Sequence, residues 1–397
     1  MIVSHPTFLH LSDMSLAQKR VLIREDFNVP MQEGVISNAE RILRALPTLE
    51  IALKAQARVI LLSHWGRPHE GQWDPQYSLA PVAQALSREL NQPVPLLKEW
   101  LSGVDVAPGH VVLCENVRFQ VGEKENSPVL AQRMAALCDI FVMDAFATAH
   151  RAEASTVGVA EYAPIACAGP LLSAEVAVLT KMLTHPKRPL IAIVGGSKVS
   201  TKIHLLEALL EKVDQLIVGG GIANTFLKAK GYPIGKSLYE SDWVNHATAF
   251  FEKAARKGVS IPLPQDVVVT QQIMPDAKAR IKRVEEVAHD DYIVDVGPAT
   301  TANYPAWMAQ AGTIVWNGPL GIFEIEAFSH GTRALGSAIA ASSAYSIAGG
   351  GDTLAALEQF GISQQISYIS TGGGAFLEFL EGKTLPAIAI LENRAKQ

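Results

Sequence analysis

Along the chain, short apolar runs alternate with longer stretches in which apolar residues recur every three to four positions. The runs are Val21–Ile23, Val59–Leu62, Val111–Leu113 and Ile140–Met143, then Leu190–Val194, Gln215–Val218, Val267–Val269, Tyr292–Val294, Thr313–Val315, Tyr345–Ile347 and Ile366–Ile369. Runs this short, bounded by turn residues, predict buried strands. The stretches between them, such as Ala39–Ala57, Ala80–Leu90, Val129–Leu137, Ile203–Lys212 and Asp242–Lys257, carry an apolar stripe and predict amphipathic helices. Strand and helix in alternation predict parallel sheets covered on both faces. Eleven strands are too many for one small sheet, so the pattern predicts an α/β chain of two doubly wound parallel-sheet domains. The first is expected over residues 1–172 and the second over 190–379. A bridging helix (Ala174–Leu183) and a hinge, together 173–189, join them, and the tail 380–397 is expected to pack on one of the two.

In open α/β sheets, ligands bind beyond the carboxyl ends of the strands. After the first four runs come Arg24, Asp26 and Asn28, then His64 and Arg67, then Asn116 and Arg118, then Asp144 to Arg151, with Arg41 opening the first helix. Guanidinium groups grip carboxylate and phosphate with two parallel hydrogen bonds. One arginine after a strand is an ordinary surface ion pair; basic groups after four strands in succession predict one cleft for a small, strongly anionic substrate. His150 belongs to the same expected cluster.

In the second half the strand ends carry glycine instead: Gly195–Gly196, Gly219–Gly221, Gly297, Asn317–Gly318–Pro319, Gly349–Thr353 and Gly372–Gly374. The segment Pro189–Lys202 reads as strand, glycine turn and a helix bearing Lys198 and Lys202 on one face. That is a way to hold phosphate on backbone N–H groups and cations. The alternative is a βα turn with two solvated lysines. Asp352 and Thr353 add a carboxylate and a hydroxyl, and Mg²⁺ asks for only one or two carboxylates beside phosphate oxygens, so the set predicts a Mg-nucleotide site. Gly231–Ser237 imitates a P-loop with one residue too few between its glycines, follows no strand, and is read as structural.

The remaining composition narrows the classes. A net charge of −5 predicts neither a nucleic-acid nor a membrane surface, so any anion site must be a local basic cluster. Cys114, Cys138 and Cys167 sit among apolar neighbours without CxxC spacing, and read as reduced core residues. The N-terminal stretch lacks a basic segment followed by an apolar core, and no apolar run reaches membrane-spanning length. A cytoplasmic location is expected.

An anion site in one domain and a Mg-nucleotide site in the other predict phosphoryl transfer across a cleft. The segments Asp26–Pro30, Ser63–Pro68, Glu115–Phe119, Asp144–Arg151, Gly195–Val199, Gly219–Asn224, Trp316–Pro319, Gly349–Thr353 and Ser370–Gly374 together resemble the phosphoglycerate kinases over essentially the whole chain. The resemblance implies two Rossmann-like domains with a deep cleft between them, and a C-terminal tail returning to the first. It implies a monomer acting on 3-phosphoglycerate or 1,3-bisphosphoglycerate with ATP or ADP and Mg²⁺. It implies 3-phosphoglycerate binding at Asp26, Asn28, Arg41, His64, Arg67, Arg118 and Arg151. Nucleotide binding is implied at Gly195, Ser197, Lys202, Gly220, Asn317, Pro319, Glu324, Gly350, Gly351, Asp352 and Thr353, with Asp352 facing the metal. Glu25, Trp65 and Ala147 depart from the family pattern, which has an aliphatic residue, leucine and glycine there.

Direct in-line transfer after domain closure is expected. Arg41, Lys198, Lys202 and backbone N–H groups at Gly350–Gly351 and Gly373–Gly374 are expected to steady the transferring group. Two other readings remain open at this point: a kinase for another carboxylate, and a non-catalytic binding protein on the same fold.

Overall fold

The computed structural model describes residues 6–32 and 34–397. Residues 1–5 and Glu33 lie outside the described residues, and with them the start of the first expected domain and part of the stretch read against a leader. The chain divides into two compact units, Met1–Thr180 with Lys383–Gln397, and Lys181–Gly382.

The first unit contains strands β1 (Arg20–Arg24), β2 (Met31–Gln32), β3 (Val35–Ile36), β4 (Arg58–Leu62), β5 (Leu96–Leu97), β6 (Val111–Cys114), β7 (Ile140–Met143) and β8 (Ile165–Ala168). Helices α1 (Glu40–Lys54), α2 (Ala80–Glu89), α3 (Pro128–Ala135) and α4 (Val159–Tyr162) lie between them, and α5 (Pro170–Thr184) follows β8 and continues past Thr180 into the second unit. The main sheet runs β5-β6-β4-β1-β7-β8, every neighbouring pair parallel. Its middle strands are apolar on both faces because both faces are covered: Val21–Ile23 and Val59–Leu62 have no exposed surface. Register then sets the functional edge. Arg24 pairs with Leu62 on one side and Met143 on the other, so β1, β4 and β7 end level and their following loops leave from one edge.

The second unit has a parallel sheet β10-β9-β14-β15-β16, from β9 (Leu190–Gly196), β10 (Gln215–Gly219), β14 (Thr313–Asn317), β15 (Tyr345–Ala348) and β16 (Tyr368–Ile369). Its helices are α6 (Ile203–Leu210), α7 (Gly220–Ala229), α8 (Val244–Lys257), α9 (Pro298–Thr301), α10 (Tyr304–Gln310), α11 (His330–Ala340), α12 (Gly351–Gln359) and α13 (Gly374–Leu380). The runs at Val267 and Tyr292 leave this sheet. As β11 (Asp266–Thr270) and β13 (Tyr292–Val296) they flank each other antiparallel, with β12 (Arg280–Arg283) on the outer side. The connection between them holds no crossover helix, and without one the chain returns antiparallel. β12 is too polar to show as an apolar run.

The last helix, α14 (Pro386–Arg394), belongs to the first unit: Ala387 N donates to Ala149 O at 3.1 Å, and Arg394 donates to Ala163 O at 2.7 Å. Among the described residues no helix is long and apolar enough to cross a membrane. The three cysteines are buried and unbridged.

One local expectation fails. Lys198 and Lys202 do not share a helix face, because α6 begins only at Ile203. Residues 199–201 form a turn instead: Lys202 N donates to Val199 O at 2.9 Å, and Glu240 accepts from Ser200 N (2.8 Å) and Oγ (2.5 Å). Side-chain bonds of this kind compete with the helix.

Candidate active site

In the first unit, the level strand ends deliver a knot of charge. Asp26 accepts from the Asn28 N–H at 3.0 Å and pairs with the Arg41 guanidinium. Asn28 Oδ1 accepts from Gly66 N at 3.0 Å and so ties the loop after β4 to the loop after β1. Arg118 donates to Gly66 O at 2.6 Å and lies 3.7 Å from Glu153, whose same oxygen is 3.8 Å from Arg151. His64 is buried 3.9 Å from Asp26. Its pKa is held well below the usual imidazole value by burial first, and then by Arg24, Arg118, Arg151 and Arg41. His64 is therefore a neutral hydrogen-bonding group, and the guanidinium groups that depress it surround it. Arg67 is exposed, and among the described residues no hydrogen bond or ion pair ties it to the cluster. Arg118 Nε is buried with no partner. Cations outnumber the carboxylates beside them, which suits an anion.

Arg24 is a correction. It has no exposed surface, and its guanidinium is spent on Ser155 Oγ (2.9 Å), the Glu25 carbonyl and His64 Nδ1 (3.3 Å). Behind it Glu123, also without exposed surface, accepts from Ser155 N and Oγ. Burial pushes that carboxyl up to about 7 while Arg24 pulls it down. Arg24 thus shapes the cluster from inside. Two of the departures are harmless here. Ala147 lies in a 3₁₀ turn (Phe146–Thr148) and is not among the residues with positive φ, so it does not need glycine's freedom. Trp65 is half-buried, and its indole donates to Val29 O at 2.9 Å.

In the second unit the strand ends meet backbone to backbone. A Cβ on Gly195 would lie 1.8 Å from Pro319 O, and Gly318, at φ +97°, has no more room. Asn317 Nδ2 donates to Gly349 O at 2.7 Å, while its Oδ1 accepts from Lys202 Nζ. Thr353 Oγ1 accepts from Gly318 N at 2.7 Å and donates to Gly349 O at 3.0 Å. Asn317 and Thr353, both buried, therefore lock the turns after β14 and β15 together. These turns bound a cavity of about 340 Å³ whose walls include Ser197, Gly220, Pro319, Glu324 and Asp352, with Leu227, Val267 and Ile322 as apolar surface. Gly195, Lys202, Asn317, Gly350, Gly351, Thr353, Gly373 and Gly374 do not line it. Gly350 and Gly373 immediately precede α12 and α13, whose first N–H groups have no partner within the helix. Asp352 is in the first turn of α12 and exposed. Lys202 is brought down to about 8 by burial, with Asp352 opposing. Lys198 is exposed on the turn before α6. Among the described residues no group of three His, Cys, Asp or Glu could hold a metal by itself. A roomier depression of about 550 Å³ beside Lys230, Tyr232 and Phe251 contains none of the predicted residues. The P-loop imitation is structural, its Ser237 accepting from Ile293 N at 2.7 Å.

The family model described as phosphoglycerate kinase matches residues 11–383. The chain belongs to the phosphoglycerate kinase family. The phosphoglycerate kinase of Coxiella burnetii (strain RSA 493 / Nine Mile phase I) is 65% identical over 387 residues, 98% of this chain and 99% of that protein. A solved structure of phosphoglycerate kinase from Coxiella burnetii superposes with a TM-score of 0.93 at 64% identity, covering 98% of this chain and 100% of that one. The phosphoglycerate kinase of Pyrococcus horikoshii OT3 does so with 0.83 at 30% identity, covering 98% and 99%. Sequence reasoning missed the acidic and hydroxyl residues that arrange this family's basic cluster here, Glu123, Glu153 and Ser155. They follow no strand end and share no spacing with the arginines. It also missed Asp295, which lines the cavity, accepts from Gly331 N at 2.6 Å and is pushed up to about 7 by burial.

Proposed function

We propose that the two units divide one reaction between them, the reversible transfer of a phosphoryl group between 1,3-bisphosphoglycerate and ADP that yields 3-phosphoglycerate and ATP. The observation that carries this reading is the contrast in donors: guanidinium groups that outnumber the carboxylates beside them around a neutral His64, and a glycine-walled cavity lined by two exposed carboxylates, Glu324 and Asp352. The first set suits a small phosphorylated carboxylate, gripped by Arg41, Arg67, Arg118 and Arg151 and oriented by Asp26, Asn28 and His64. In the second, the apolar wall takes the base, Glu324 the ribose, and Ser197, Gly220, Pro319 and the helix N-termini at Gly350–Gly351 the phosphates. Gly195, Asn317 and Thr353 hold those turns in place.

Asp352 fits Mg²⁺ because an exposed carboxylate beside phosphate oxygens meets that ion's need for few protein ligands. The ion supplies charge neutralisation on the nucleotide phosphates. The attacking group is a carboxylate, so no strong base is required, and this chain's contribution is positioning and charge. Arg41, Lys198, Lys202 and the N–H groups at Gly373–Gly374 face the transferring group in this reading. Reacting atoms must come within about 3–3.5 Å, so both ligands have to be gathered into one water-free space during turnover. The chain acts as a cytoplasmic monomer.

A coupled assay of the purified chain with 3-phosphoglycerate and Mg-ATP tests this. Turnover is expected; binding of both ligands without turnover would favour a non-catalytic binding protein, and turnover only with another carboxylate would favour a different kinase.

A further inference from the structure

The side chain of Glu25, directly after β1, is buried (1% exposed), and so is that of Asp144, directly after β7 (0%). Arg24 and Met143 are register partners in adjacent parallel strands, and Asp144 N donates to Arg24 O at 3.0 Å, so the two buried carboxyl groups that follow them are neighbours and act on each other. Asp144 is well supplied with donors: the Thr48 hydroxyl from α1, and the Leu172 N–H (2.9 Å) and Leu171 N–H at the start of α5. Glu25 has no such supply, and its Oε1 is buried without a partner. Two carboxylates cannot hydrogen-bond, since neither has a hydrogen to give. The contact requires one proton, and the donors on Asp144 favour the charge there and the proton on Glu25.

We propose that Glu25 is a positioning residue: protonated, it donates a hydrogen bond to Asp144, and this shared-proton pair fixes the start of α5 and the Thr48 face of α1. Thr48 lies seven residues after Arg41 on α1, two turns along the same face. Asp26, the partner of Arg41, is the residue after Glu25. The pair therefore braces both ends of the Arg41–Asp26 ion pair from inside the unit.

The surrounding groups agree with this placement. Burial, and then Asp144, push Glu25 well above the carboxylate range; Asp26 adds to this and Arg24 opposes it, its guanidinium turned to the Glu25 carbonyl. Burial brings Asp144 up to about 6 against the pull of Thr48, Leu172 and Glu25. From β8 the neutral Cys167 thiol faces Asp144, pushed up to about 12. α1 contributes Thr48, and α5 contributes backbone N–H groups. The folded chain thus holds this proton more tightly than the unfolded chain, where a glutamate titrates near about 4.3. The stability it contributes is complete below that value and is lost as pH rises through the folded-state value.

The test uses the full chain as wild type, Glu25→Gln and Glu25→Leu. The infrared difference spectrum, wild type minus Glu25→Gln at neutral pH, should contain the C=O stretch of a buried protonated carboxyl group; subtraction removes Glu123 and Asp295. As pH rises above the carboxylate range, the folded-to-unfolded ratio of wild type should fall relative to Glu25→Gln, by up to about tenfold per pH unit. Glutamine keeps a donor and should keep the KM for 3-phosphoglycerate. Leucine should raise that KM while leaving the nucleotide KM unchanged, a split that general loss of stability would not produce. The kinetic arm rests on the proposed reaction; the spectrum and the unfolding curves do not, so an inactive chain still decides the question. A difference spectrum without the carboxyl band, or parallel pH curves for wild type and Glu25→Gln, overturns the proposal, and these two readouts suffice if Glu25→Leu does not fold.

Discussion

The two candidate anion sites of this chain are made of different material. In the first unit the charge resides in side chains: Arg41, Arg118 and Arg151 are steered by Asp26 and Glu153 around a buried His64. In the second it resides in backbone brought close by missing side chains, with Gly195 against Pro319 and Gly318, and Asn317 and Thr353 bolting the turns together. A side-chain site depends on the identity and geometry of each charged group. A backbone site depends on nothing occupying the space where a Cβ would stand.

That difference can be broken by a single methyl group. Gly195→Ala should remove measurable nucleotide binding and destabilise the second unit by about 3 kcal/mol, since overpacking a filled interior carries a cost of that order. Calorimetric titration with nucleotide and with 3-phosphoglycerate checks it: the second ligand should still bind. Nucleotide binding at wild-type affinity would mean the strand ends can part, and the comparison would lose its basis.

The first unit should fail by geometry at constant charge. Arg41→Lys keeps the cation and loses the planar fork, and should lower kcat/KM for 3-phosphoglycerate about 10–100-fold, the worth of one charge-assisted hydrogen bond. Steady-state kinetics decide it; near-wild-type values would reduce Arg41 to a diffuse positive charge.

The smallest expected effect sharpens the comparison through pH. Lys202 is brought down to about 8 by burial, so it is charged below that pH and loses its charge above it. Nucleotide affinity of the free chain should therefore weaken above about pH 8, by at most about tenfold per pH unit for one proton. Guanidinium groups keep their charge throughout this range, so 3-phosphoglycerate affinity measured in parallel should stay level. Equal slopes for the two ligands would show that the titrating group is not Lys202.

The candidate site was legible wherever its residues follow a strand in the chain. Asp26, Asn28, His64, Arg118 and Arg151 come together as the spacing led one to expect, because strand ends in a parallel sheet share an edge. The glycine turns could be read as a class, but the residues that face the cavity could not be told from those behind it. Nothing local separates Ser197 and Pro319, which line it, from Asn317 and Thr353, whose side chains are consumed inside. Arg24 shows the same limit. It ends a strand as Arg118 follows one, yet it is wholly buried because Ser155 and the Glu25 carbonyl, distant and adjacent in the chain, both claim its guanidinium.

By itself the sequence determined the alternation of strand and helix, the doubly wound class, and which loops carry charge and which carry glycine. Periodicity, the length of apolar runs and turn residues are local properties, and they survive without knowledge of neighbours. Tertiary structure alone decided that β11 and β13 leave the parallel sheet, that Lys198 and Lys202 precede α6, that His64 is neutral, and that Glu25 and Asp144 are buried at adjacent strand ends. Each of these depends on partners brought together from far along the chain. Burial and the field of those partners set charge state and orientation, and neither is encoded at a single position.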